Sequence, residues 1–191
     1  MQIRHVAAIA FSALIGTSGA AFAQSVEYKV LATSKTSTMQ KEMTEAAEAG
    51  FRFVAAMGGD TAFGGKEVVA LMQKRSSEPA RFAYKLLATS KTSTMQKELQ
   101  QAADAGFVYV GQTVFDSVFG GKEVAVILER DKEAPPSVKY EYRLIATSKT
   151  STLQKEIAEA GQAGYEALGV TVGETAIGGG ELVVITRRAL K

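Results

Sequence analysis

The chain has 191 residues, no cysteine and one histidine, His5; its first 23 residues read as a removable leader, which leaves 168 to fold and takes His5 away. A folded part without thiol or imidazole excludes Ser/His/Asp and Cys/His triads, a histidine base, zinc held by His or Cys, thiol redox chemistry and a disulfide framework. Lys and Arg total 22 against 20 Asp and Glu, and losing Arg4 brings the charge to +1 with no cationic block, so neither nucleic acid nor anionic lipid is an expected partner.

The leader has the three parts of an export signal: a basic start at Met1–His5, an apolar run from Val6 to Gly16, and small residues in Ala21-Phe22-Ala23. Cleavage is expected after Ala23, which would deliver the protein to the periplasm or the extracellular medium. Ser12, Thr17, Ser18 and Gly19 break the apolar run below the roughly 18 residues of a spanning helix, so stable membrane insertion is not expected.

Self-comparison then organises the remainder. The segment Tyr28–Glu42 returns at Tyr84–Glu98 and again at Tyr142–Glu156. Three tandem modules follow, at residues 24–75, 82–131 and 138–191, joined by linkers at 76–81 and 132–137. All three prolines (Pro79, Pro135, Pro136) fall in those linkers.

Each module opens on a predicted strand, with Val26, Tyr28, Val30 and Ala32 alternating against Glu27, Lys29, Leu31 and Thr33. Next, Met39, Met43, Ala46, Ala47 and Gly50 recur at helical spacing, as do Met95, Leu99, Ala102, Ala103 and Gly106, and Leu153, Ile157, Ala160, Gly161 and Gly164. The final glycine of each series suits a left-handed helix end. A second strand is predicted at Phe51–Met57, Phe107–Thr113 and Tyr165–Thr171. Glycine hairpins at Gly64-Gly65, Gly120-Gly121 and Gly178-Gly179-Gly180 lead to a third at Glu67–Gln73, Glu123–Glu129 and Glu181–Arg187. That third strand is an almost unbroken apolar run, as expected of a central strand.

The fold class is therefore α+β: three tandem β-α-β-β modules, each a three-stranded sheet with the third strand central and one helix on one face. A right-handed crossover makes the first two strands parallel. A module of about 50 residues is marginal alone. Leu31, Val69, Leu71 and their repeats are assigned to the sheet face away from the helix, so the modules are expected to pack on one another or on a second chain.

These residues resemble a small bacterial family of β-α-β-β domains of unknown function, through Glu27-Tyr28-Lys29-Val30, Ala163-Gly164-Tyr165-Glu166-Ala167-Leu168 and Leu182-Val183-Val184-Ile185-Thr186-Arg187-Arg188. Phe51, Phe107 and Tyr165 stand where that family has Trp, and Arg52 and Val108 where it has Glu. The resemblance implies the fold and brings no settled activity.

The repeats agree most closely in a polar stretch, where ten of the eleven positions from Ala32 to Glu42 are identical in all copies. Ser37-Thr38-Met39-Gln40 reads as a capping box. Beyond capping, a lysine among hydroxyls at a positive helix end can hold a phosphate, sulfate, carboxylate or sugar. The candidate ligand residues are Ser34, Lys35, Thr36 and Ser37; Ser90, Lys91, Thr92 and Ser93; and Ser148, Lys149, Thr150 and Ser151. The stretch lacks the glycines of a nucleotide-binding loop. Repeated Glu42/Glu98/Glu156 and Glu67/Glu123/Glu181 leave a carboxylate-dependent hydrolase as the third-ranked reading, but nothing pairs them. The expected function is a non-enzymatic exported scaffold acting through self-association or an envelope or extracellular protein partner. The alternative is a multivalent binder of small anions or glycans. No cofactor or metal is expected.

Overall fold

The computed structural model describes residues 25–62, 65–76, 81–89, 91–117, 121–134, 136–174 and 180–190, with only the backbone of 115–117, 121–122 and 174. Module 1 runs β1 (Val26–Thr33), α1 (Thr36–Glu48), β2 (Arg52–Thr61) and β3 (Gly65–Arg75). Module 2 runs β4 (Phe82–Thr89), α2 (Thr92–Asp104), β5 (Val108–Ser117) and β6 (Gly121–Asp131), and module 3 runs β7 (Tyr140–Thr147), α3 (Thr150–Gln162), β8 (Glu166–Glu174) and β9 (Gly180–Ala189). The sheets have orders β1-β3-β2, β4-β6-β5 and β7-β9-β8, the last strand central and antiparallel to both neighbours. No helix among the described residues is long and apolar enough to cross a membrane.

All three helices end alike. Gly50, Gly106 and Gly164 take φ of 90°, 83° and 82°. Each glycine N–H returns to a carbonyl three residues back, and the following aromatic N–H reaches one five back (Phe51 to Ala46, Phe107 to Ala102, Tyr165 to Ala160). This is a Schellman ending, which places that aromatic at the mouth of the second strand.

The pairing register corrects the sequence-based assignment of faces. Leu31 lies opposite Ala70, and Val30 opposite Leu71. Leu31 therefore shares the helix-covered face with Val68, Ala70 and Met72, and all four are buried with Met39, Met43, Ala46 and Ala47. Val69 and Leu71 do lie on the other face, together with Tyr28 and Val30.

That second face is what stacks the modules. Phe82, Tyr84 and Ile127 of module 2 join the core formed by α1 and its own sheet, so α1 is held between two sheets. Tyr142, Val183 and Ile185 of module 3 close over α2 in the same way. The chain is thus a stack in which the helix-covered faces of modules 1 and 2 each receive the outer face of the next sheet. Ala160 is the one fully buried residue of α3, whose far side meets no further sheet among the described residues.

Glycines mark where the stack is tightest. A Cβ on Gly111 would lie 3.0 Å from the Phe53 ring, and one on Gly169 would overlap the Tyr109 hydroxyl. Gly169→Val is expected to destabilise the chain by about 1–3 kcal/mol through overpacking. Combined with Tyr109→Ala it should cost clearly less than the sum of the single changes; strict additivity in urea unfolding would show that the two residues do not meet.

Candidate functional site

The capping-box reading is overturned. Each helix begins one residue before the serine, with Lys35, Lys91 or Lys149 as the extended N-cap residue, and none of these makes a side-chain cap hydrogen bond. The lysine amide instead donates to the hydroxyl two residues earlier, on Thr33, Thr89 or Thr147.

The glutamine of the supposed box faces the next module. Gln40 Oε1 accepts from Leu86 N at 2.9 Å. Gln96 Oε1 accepts from Leu144 N at 2.7 Å while its Nε2 donates to Tyr142 O at 2.8 Å. Gln100 adds the same service to Tyr142 N and Tyr140 O. These side chains satisfy the open backbone edges of β4 and β7, which would otherwise be available for pairing with another strand. Gln96→Ala should therefore cost about 1–2 kcal/mol. Gln154→Ala, at the same position on exposed α3, should stay within about 0.5 kcal/mol in the single chain; chemical denaturation of the two variants compares them.

Among the candidate ligand residues, Ser34, Lys35, Ser37, Lys91, Ser93, Ser148, Lys149, Thr150 and Ser151 are exposed, and Thr36 and Thr92 are half-buried. Ser90 lies outside the described residues. Thr36 and Ser37 border a groove with Lys85, Leu86 and Ala88 of module 2, so this loop belongs to an inter-module seam. Among the described residues no cluster of three or more His, Asp or Glu could hold a metal ion.

A second seam carries buried charge, which the sequence reading missed. Glu129, 4% exposed, accepts from Arg52 at 2.8 Å and from the Tyr84 hydroxyl at 2.7 Å. The same hydroxyl accepts from Phe53 N at 2.8 Å, and Tyr142 repeats this with Tyr109 N at 2.9 Å. The repeated opening tyrosine is thus an inter-module clamp, and its recurrence in every copy was the available signal. Burial, reinforced by the Glu129 carboxylate, pushes the Tyr84 hydroxyl well above the ordinary tyrosine range, and burial pushes Tyr109 up to about 12. Neither is a base near neutral pH.

Asp131 shares a cavity of about 220 Å³ with Glu129, Arg52 and Arg81. Partial desolvation opposes its ionisation, but the amides of Glu133 and Ala134 and the Arg81 guanidinium, 2.8 Å away, outweigh this and hold its carboxyl below the usual range. A general acid at neutral pH needs the opposite shift. Both carboxylates are already engaged by arginines, and Arg187 and Ala189 replace them at the equivalent positions of module 3. This chemistry suits a structural tie.

Exposed apolar side chains gather at the two ends of the stack. Tyr28, Val30 and Met57 on the outer face of the first sheet are 63%, 64% and 64% exposed, whereas the equivalent Tyr84 and Tyr142 are 5% and 2% exposed. Val54, at the bulge of β2 beside this face, is exposed as well. At the other end Val170 and Val172 of β8 are 62% and 57% exposed beside the half-buried Leu153 and Ile157 of α3. Contiguous apolar exposure of this kind marks a contact surface. Comparison with protein-family models, curated proteins and solved structures returned no match.

Proposed function

We propose that the chain is a non-enzymatic scaffold, exported and processed after Ala23, that works by protein contact through the uncovered faces of its terminal modules. The observation that carries this reading is the outer face of module 1, where residue positions buried twice inside the stack are open to solvent. Cleavage after Ala23 leaves only Gln24 and Ser25 ahead of β1, too little chain to cover that face. The exported fraction of the native host, sized without denaturant, is expected to hold the protein in complexes larger than one chain. A Tyr28→Ser/Val30→Thr/Met57→Gln variant should keep its circular dichroism and melting temperature but run as a single chain. An unchanged size, or a native protein already running as one chain, contradicts the proposal.

A further inference from the structure

The two uncovered ends correspond in position to the two sides of a contact that the chain already forms twice within itself. The open tail carries α3 and β8, the counterparts of the α1 and β2 surface that receives module 2 and of the α2 and β5 surface that receives module 3. The open head, the outer face of the first sheet, is the counterpart of what those surfaces receive. We infer that copies of this chain assemble head to tail, the head of one seated on the tail of the next. The inference rests on the scaffold reading and names its partner.

Polar groups at the ends match in kind. Gln154 occupies the place of Gln40 and Gln96, and Val30 N and Tyr28 O occupy the places of the edge groups that those glutamines engage. Charge is compatible as well. Glu166 stands at the position of Arg52 and Gln73 at that of Glu129, so an amide would meet a carboxylate.

Shape provides an independent match. Inside the stack a ring lies on a glycine, Phe53 on Gly111 and Tyr109 on Gly169. At the ends both members change together: the ring position is Ala167 and the glycine position is Ala55. The methyl on Ala55 would crowd a ring there, and the ring is absent from Ala167, so the two ends can meet without that clash. A heterologous contact of this kind gives an open chain of copies, or a ring where its rotation closes.

Val30→Asp disables the head and Val170→Asp the tail, each at an exposed position. On the protein as its host processes it, light scattering should give a mass above one chain that rises with concentration. Each variant alone should be one chain, and their equimolar mixture two chains and no more, since one intact head and one intact tail remain. Val30→Ser and Val170→Ser serve the same comparison if an aspartate variant loses its circular dichroism. A Val170→Asp protein that still pairs would place two heads face to face and overturn the inference. A mixture that stays at one chain, or a wild-type protein that never exceeds one chain, overturns it too. Larger complexes in the exported fraction alongside any of these results leave the scaffold reading standing; their absence removes both.

Discussion

Leu99→Ala is expected to lower the unfolding free energy by about 3 kcal/mol, and Ile157→Ala by only about 1 kcal/mol, although the two residues occupy the same position of the repeat. Leu99 is wholly buried between the second and third sheets, where removing its side chain leaves a cavity walled by Met95, Val126, Leu128, Tyr142 and Ile185. Ile157 has its own sheet on one side and, among the described residues, no sheet on the other, so much of the space left by its truncation is open to solvent. Urea midpoints measured on a Val30→Asp background keep assembly out of the comparison. Equal costs would mean that α3 is covered as α2 is, and that the stack does not end where the structure ends it.

The second large effect concerns the tie between modules 1 and 2. Arg52→Ala leaves the Glu129 carboxylate buried with only the Tyr84 hydroxyl as its hydrogen-bond donor among the contacts described above. Breaking a fully buried ion pair costs about 3–5 kcal/mol; the Arg52 side chain is 45% exposed, and solvent screening reduces the expected loss to about 2 kcal/mol. Adding Glu129→Gln removes the stranded charge and should restore part of that loss, giving a coupling energy above about 0.5 kcal/mol in a double-mutant cycle. Additive costs would show that the pair does not hold the modules together.

The architecture was legible because periodicity, glycine placement and repetition agreed. Met39, Met43, Ala46 and Ala47 specify a helix, Gly50 its end, and the run Val68–Met72 a central strand. Faces were less legible. A strand buried on both sides has no alternation to orient it, and a one-residue difference in register moves a residue to the opposite face. Leu31 was misassigned for that reason. The serine–glutamine pair was misread because a capping box and a side chain reaching a neighbouring strand can share one local pattern; only the position of β4 and β7 separates them. Glu129 looked like an ordinary residue near a strand end, since its partner Arg52 lies 77 positions away in the chain. The unequal ends were written in the sequence as Ala55 and Ala167, but their meaning depends on knowing that a ring meets a glycine at this step of the stack.

The central claim, that the protein acts through its end faces and that each head meets a tail, is tested most directly by a photo-crosslinking amino acid placed at Val30 and activated in the native host. Mass spectrometry of the adduct should recover a second copy of this chain joined within α3 or β8, between residues 150 and 174. A crosslink from Val30 to residues of β1 in another copy, to a different protein, or to nothing at all would contradict the account.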